Sequence, residues 1–440
     1  MPTTIPTASF LENLRFNLFH IVPYLTRGIF TENRPWVTFW TKYQRDPNAV
    51  RLISGLRSKY QSDYLYLYML TNKSLLVLDC KGIQRVLDYS PVIYAEARPK
   101  RKRMSHFQPG ALTISRGDEW QERRRFNVAV LQHGIHQYAD HFLKIIRDEI
   151  ASKTSQDSNA LQSWDDFQAL FEKITLQVIF GKGENDTRLT DALKKMMLES
   201  NKLLFLGNKS KFFDEFDKNI ADHLASPPDQ CLVSLCKQVP STETTQVEHQ
   251  IPHWMFAMKD TLAINTVRTL ALIISHPTTE QRVREELGRA DLSSAQDIAG
   301  LRYLEACIQE AMRLWPTTLM LIRENLADDT LDGVAIPANT QVIIHNGFNH
   351  RDAQTHKFAD KFFPDLWLDK GVDYHFNHLS NGLQVCAGKD LALYIAKAVL
   401  SILLTNNRFR LVQPSLDPTR PLPYAYDHYS IELERLPCNE

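Results

Sequence analysis

Helical spacing of apolar residues, repeated over long stretches, is the feature that most limits how this chain can fold. Apolar runs over 64–69 and 74–79 predict a β-hairpin, and residues 330–345 predict two further strands with a turn at 332–333. We therefore expect a mostly α fold with a minor β-sheet region. The segments with helical spacing cover residues 117–125, 252–275, 281–288, 304–314 and about 387–404.

The composition is that of an ordinary globular protein. The chain has 440 residues, of which 43% are hydrophobic and 23% charged, so it can bury a large core. Its 51 basic and 51 acidic residues balance, which argues against a general nucleic-acid binder. We find no internal repeat and no long linker. We expect a lead-in segment over residues 1–30 and a single domain over residues 31–440.

The cysteines and the N-terminus indicate an intracellular protein. The six cysteines are scattered without a CxxC pair, which argues against a zinc ribbon or an iron–sulfur site. We read them as reduced thiols and expect a cytoplasmic location. No signal peptide is apparent, and the apolar stretch 16–26 is interrupted by Pro23 and too short to span a membrane. We expect it to pack on the domain, with a peripheral membrane contact as the alternative.

Cys386 is the first candidate for chemistry. It lies between Gly382 and Gly388, immediately before a predicted helix. Glycines allow close approach of the backbone, and a helix N-terminus favours a thiolate, which is a strong metal ligand. The alternative is a small core cysteine with no chemical role.

Three further pairs of residues on predicted helices have side chains suited to chemistry. Glu310 and Arg313 can form a charge pair on one helix face, although many such pairs are solvated and weak. Trp120 and Arg124 share a face, with a solvated basic surface as the alternative. Asp260 and Thr261 could manage protons in the middle of the long helix, or could be a solvated acid beside a core threonine.

Together these segments resemble the cytochrome P-450 family over roughly residues 50–440. Residues 379–388 are similar to the heme-binding loop of that family, with Gly382, Cys386 and Gly388 in place. Residues 310–313 match its ExxR motif, residues 120–124 its WxxxR motif, and residues 257–261 its oxygen-side motif.

The resemblance implies a cofactor and its contacts. It implies heme b between the long central helix and the cysteine loop, with Cys386 as axial ligand and O2 as co-substrate. Trp120, Arg124 and Arg323 would contact the heme carboxylates. Glu310 and Arg313 would form a structural ion pair, and Asp260 and Thr261 would be the catalytic residues.

Four positions depart from the family pattern. Leu379 replaces an aromatic residue, and Gln384 replaces a basic one, so we expect heme to be held less tightly. Met258 replaces a glycine, so we expect the long helix to bend differently there. Leu366 stands where an arginine normally joins the ion pair, so we expect Glu310 to have one cationic partner.

The resemblance further implies a soluble, bacterial-type monooxygenase. It would insert one oxygen atom from O2 into a lipophilic substrate by hydroxylation or epoxidation. Electrons would come from a separate ferredoxin or flavodoxin/reductase-type donor, because no GxGxxG fingerprint follows a strand, and Lys389 and Lys397 are candidate docking residues. The alternatives are a peroxygenase, isomerase or dehydratase, and a non-catalytic helical binding protein. We expect the substrate to meet residues 104–113, 317–321 and 424–429.

Overall fold

The computed structural model describes residues 4–43, 45–156, 160–202, 210–369 and 374–436. Helices dominate it, and the prediction of a mostly α chain with a minor sheet is confirmed. The α-helices in chain order are α1 (Phe10–Phe16), α2 (Val22–Arg27), α3 (Arg34–Lys42), α4 (Arg45–Tyr60), α5 (Cys80–Asp88), α6 (Arg98–Met104), α7 (Gly117–Gln156), α8 (Trp164–Phe180), α9 (Arg188–Asn201), α10 (Phe213–Ala225), α11 (Leu232–Cys236), α12 (Ile251–Phe256), α13 (Ala263–Ser275), α14 (Pro277–Leu287), α15 (Ala295–Ala299), α16 (Arg302–Leu314), α17 (Asn346–Asn349) and α18 (Lys389–Asn406).

The strands form one mixed sheet and two hairpins. The larger sheet has the order β1-β2-β7-β4-β3, in which β2 and β7 are parallel and the other neighbours antiparallel. The predicted pair of strands over 330–345 is in fact three strands, because β5 and β6 form their own hairpin. The strands are β1 (Tyr64–Met69), β2 (Asn72–Val77), β3 (Tyr94–Glu96), β4 (Leu321–Asn325), β5 (Asp329–Leu331), β6 (Val334–Ile336), β7 (Gln341–Ile344), β8 (Arg408–Gln413) and β9 (Glu432–Leu436).

The long helix predicted over 252–275 is interrupted by a π-helical segment. Helix α12, the π-helical segment Ala257–Leu262 and helix α13 follow one another without a break. Helix α13 is buried on nearly all sides by α8, α16 and α18, which places it in the centre of the molecule. Pro277 cannot continue the helix and opens α14. A π-helical segment carries an extra residue per turn, so it rotates the side chains that follow it.

Helices α9, α10 and α11 lie in the region 183–242, which is poor in sequence signals. The buried residues of α9 include Leu189, Leu193 and Met196, which recur at helical spacing. The signal was therefore present in the sequence, although no motif pointed to it.

The core has one large helical part and two smaller parts on the faces of the five-stranded sheet. Phe16 and Ile21 of the lead-in segment are buried in one of the smaller parts, and Ala8 donates a backbone hydrogen bond to Tyr66 of β1. The domain boundary between residues 30 and 31 stays a prediction. Within the described ranges no helix is both long and apolar enough to cross a membrane.

Candidate functional site

A cavity between the long central helix and the loop before α18 brings most of the predicted site residues together. Cys386 lies on its floor, and Thr261 lies on the wall formed by the π-helical segment. Trp120 and Arg124 reach it from α7, and Arg323 reaches it from β4. Four segments that are distant in the sequence therefore converge on one space.

The loop of Cys386 is fixed by backbone contacts. The Cys386 N–H donates to the Leu379 carbonyl at 2.8 Å, and the side chain is exposed to the cavity. Gly382 has φ +64°, and a Cβ there would lie 2.3 Å from the carbonyl oxygen of Leu87 in α5. Gly382 is thus required for packing against α5. At Gly388 a Cβ would make only an ordinary 3.6 Å contact with Leu131.

The protonation of Cys386 depends on opposing contributions. Burial raises the pKa of the Cys386 thiol above its ordinary value, while the Gly388 N–H and the Arg124 guanidinium act in the opposite direction. That the helix start favours a thiolate stays a prediction. A bound metal ion would deprotonate the thiol, because its charge dominates such a site.

Trp120 and Arg124 lie one helical turn apart on α7, which places them side by side on the wall. Arg124 donates from Nη1 to the Val385 carbonyl at 2.5 Å, so it also ties α7 to the cysteine loop. Arg124 is half-buried, and Trp120 is buried with its ring against the cavity. Both side chains are held in place and present N–H groups to the cavity.

Arg323 is paired with a carboxylate that the sequence did not single out. Its Nη1 donates to Glu96 Oε1 at 2.7 Å, and Lys100 Nζ lies 3.0 Å from Glu96 Oε2. Burial acts to raise the pKa of Glu96, but the charges of Arg323 and Lys100 hold it below its ordinary value. Among the described residues, the buried Nε of Arg323 has no hydrogen-bond partner.

The structure separates Asp260 from Thr261. Thr261 lines the cavity, whereas Asp260 does not, and Asp260 accepts a 2.9 Å hydrogen bond from Nζ of the buried Lys259. Lys259 Nζ also lies 4.0 Å from Glu172. Met258, which replaces a family glycine, lies inside the same π-helical segment. Adjacent residues on a helix point in different directions, which accounts for the separation of Asp260 and Thr261.

Glu310 and Arg313 form a fully buried, bidentate pair behind the cavity. Arg313 donates from Nε and Nη2 to the two Glu310 oxygens at 2.8 and 2.7 Å. The Phe363 N–H and the Trp367 indole N–H donate to Glu310 at 2.9 and 2.8 Å. These two neutral donors take the place of the arginine that Leu366 does not supply.

Two more polar residues, His253 and Gln384, line the cavity. The sequence motifs did not reveal His253, and at Gln384 they showed only a departure from the family pattern. Burial, with a contribution from Lys100, lowers the pKa of His253 to about 4, so this histidine is neutral. The buried Oε1 of Gln384 has no partner within the described ranges. His253 precedes Thr261 by two helical turns, and this spacing was the one signal that could have found it.

The residues present suit a group that carries both a metal and carboxylates. Cys386 offers a sulfur ligand, and the cavity wall offers three cations against one carboxylate, Glu96. The unpartnered Nε of Arg323 indicates that this wall is incomplete without a further acceptor. The cavity volume is about 340 Å³, which is within the usual range of ligand pockets. The heme that the resemblance implies therefore fits the site.

Comparison with known proteins gave concordant results. The family model for Cytochrome P-450 matches residues 210–423. Cytochrome P-450 monooxygenase mpsF of Macrophomina phaseolina is 28% identical over 257 residues, or 51% of this chain. That match covers 63% of the fungal enzyme, which is less than two thirds of its length.

Two further proteins extend the comparison over most of the chain. Indoleacetaldoxime dehydratase of Arabidopsis thaliana is 24% identical over 75% of this chain and 76% of its own. Retinoic acid bound cyanobacterial CYP120A1 has a TM-score of 0.70 at 17% identity, covering 87% of this chain and 94% of that chain. The latter shows the fold.

Proposed function

Because the chain belongs to the cytochrome P-450 family, whose members use heme b with a cysteine thiolate and O2, we propose that it is a monooxygenase. It would insert one oxygen atom into a lipophilic organic substrate, by hydroxylation or epoxidation, with electrons from a separate protein. The observation that carries the proposal is the shared cavity, in which Cys386 and Thr261 face the same space between apolar walls.

In this proposal Cys386 would supply the thiolate ligand, and Trp120, Arg124 and Arg323 would hold the heme carboxylates. Indole and guanidinium N–H groups donate to carboxylate oxygens, and the arginines add charge. Gln384 can donate only a neutral amide N–H, so it replaces a basic residue incompletely. The bound heme supplies the oxygen-activating chemistry, which the thiolate ligand favours.

Thr261 is proposed to hold protons at its Oγ1. Thr261 lines the cavity, where its hydroxyl can bind a water molecule. The apolar side chains Phe256, Met258 and Leu321 around it limit the number of waters. Asp260 would act from outside the cavity, through the ion pair with Lys259.

The electron donor is proposed to dock near the start of α18. Of the two candidate lysines, Lys397 is buried and donates to Glu305 at 2.7 Å, so it is not available to a partner. Lys389 is partly exposed at the first position of α18 and stays a candidate.

A peripheral membrane contact and a cytoplasmic location stay proposals. Residues 16–26 are largely turned into the protein, whereas Phe10, Leu11, Leu14 and Leu18 are exposed along the first helical segment. An exposed apolar stripe of this kind suits the surface of a bilayer better than open water.

A second candidate is a heme-thiolate dehydratase or isomerase that needs no external electrons. Two observations favour it: Asp260 lies off the cavity, and a dehydratase is similar over three quarters of the chain. Incubation of the holoenzyme with an aldoxime, without donor protein or O2, tests this candidate. Nitrile formation would support it over the monooxygenase.

The proposed monooxygenase is tested first by its absorption spectrum. We expect purified protein, reduced and exposed to carbon monoxide, to show a strongly red-shifted Soret band. Cys386→Ser should lose this band while the matched Cys80→Ser variant keeps it. A heme-free wild type, or an unchanged band in Cys386→Ser, would overturn the assignment of the ligand.

A further inference from the structure

A second cavity adjoins the one that contains Cys386. The two share Lys100, Thr317 and Thr318 on their walls. The second cavity, which we call the head cavity, lies between α2, α13 and the C-terminal loop at Tyr424–Tyr426, and its volume is about 150 Å³. This is roughly ten times what a single water molecule requires.

The wall of the head cavity contains a buried arginine with no contacting carboxylate. Arg268 of α13 is 8% exposed. It donates to the carbonyls of Trp315 at 3.2 Å and Tyr426 at 2.9 Å, and its buried Nε has no partner among the described residues. Its Nη2 also lies 3.4 Å from Nδ1 of the buried His428. No described carboxylate lies within ion-pair distance of Arg268, and burial lowers its pKa although the charges of Glu32 and Asp427 act in the opposite direction. A buried guanidinium without an anion is costly, which indicates that an anion belongs beside it.

The other charges of the head cavity do not supply that anion. Glu32 is the only carboxylate among the described lining residues, and its Oε2 lies 3.4 Å from His428 Nε2. Burial raises the pKa of Glu32 despite the charges of Arg268 and Arg27. Lys100 is already paired with Glu96. Cations therefore exceed carboxylates in the head cavity.

We propose that the substrate is an amphipathic carboxylic acid, whose carboxylate binds Arg268 in the head cavity. Its apolar part passes Thr317 and Thr318 and ends beside Thr261. A guanidinium suits a carboxylate because several N–H groups can donate to both oxygens. The apolar part would meet Trp254, Phe256 and Leu321. The inference rests on the proposed monooxygenase and specifies its substrate class.

Absorbance titration of the ferric holoenzyme tests the inference without measuring turnover. The probes are straight-chain alkanoic acids of about eight to sixteen carbons and the alkanols of the same lengths. We expect at least one alkanoate to shift the Soret band with about tenfold or more higher affinity than its alkanol, as one charge-assisted contact would give. Arg268→Gln should abolish this preference while keeping alkanol binding, and Arg268→Lys should retain part of it.

Glu32→Gln provides a second variant in case Arg268→Gln does not fold. It removes a lining carboxylate whose charge would repel an alkanoate, and it should strengthen alkanoate binding severalfold without affecting alkanols. Equal binding of the two series, no response to either series, or an Arg268→Gln variant that keeps the preference would overturn the inference. If Arg268→Gln binds alkanoates and alkanols equally more weakly and its thermal stability is also reduced, Arg268 has a structural role instead, which also overturns the inference. A protein without the thiolate-type Soret band would refute the proposed function itself, which separates the two failures.

Discussion

Two buried arginine–glutamate pairs flank the cavity, and they differ in how completely their hydrogen bonds are satisfied. Arg313 uses all five of its N–H groups, on Glu310 and on the carbonyls of His350, Ala359 and Lys361. Arg323 donates to Glu96, contacts one carbonyl at a long 3.4 Å, and leaves Nε unpartnered within the described ranges.

The difference separates a structural pair from a binding pair. A buried polar network that is complete stabilises one conformation, whereas an incomplete one carries a free-energy cost. A protein retains that cost where a ligand completes the network. We therefore propose that Glu310–Arg313 stabilises the fold and that Arg323, with Arg124, binds heme.

The largest expected effect is on the complete pair. Glu310→Gln leaves the Arg313 charge buried and unbalanced, so we expect the free energy of unfolding to fall by about 3–5 kcal/mol. Urea denaturation followed by circular dichroism measures this. The control is Glu434→Gln, which breaks the exposed pair with Arg410 and should cost less than about 1 kcal/mol. Similar losses in both variants would contradict the comparison.

The second effect concerns His253, another incompletely bonded group on the cavity wall. Its pKa in the folded protein is about 4, below the ordinary 6.5, so the unfolded chain binds the proton first as the pH falls. Stability is therefore lost from pH 6.5 downward, by about 2 kcal/mol near pH 5. His253→Gln should lack this loss. Unfolding free energies of both proteins at about pH 7.5 and pH 5 provide the test, and parallel changes would refute it.

The third and smallest effect concerns the donor that replaces an arginine. Trp367→Phe removes the indole N–H from Glu310, and we expect a loss of about 1–2 kcal/mol in unfolding free energy. Trp36→Phe, at a 40% exposed tryptophan, is the matched control and should have little effect. An equal effect at both positions would mean that Glu310 does not depend on Trp367.

The parts of the site that could be predicted from sequence are local. Glu310 and Arg313 lie three residues apart on one helix, and Trp120 and Arg124 four apart, so helix geometry alone places them together. The loop of Cys386 was recognisable because Gly382, Cys386 and Gly388 lie close together in the sequence.

The rest depends on contacts between distant residues. Glu96 and Arg323 are 227 residues apart, and the sequence around either residue contains no motif that predicts the pair. Trp367 reaches Glu310 from the end of a short 3₁₀ helix, Pro364–Trp367, in a stretch without clear hydrophobic periodicity. Helical spacing places Asp260 and Thr261 on different faces, but it does not show which of the two lines the cavity.

The rate at which the holoenzyme releases heme to apomyoglobin tests the central claim most directly. Arg323→Gln should release heme about tenfold faster than wild type, which corresponds to about 1.4 kcal/mol. Glu96→Gln should slow release, because it removes the carboxylate that competes for Arg323. Release from Arg323→Gln at the wild-type rate would contradict the assignment of this arginine to heme binding.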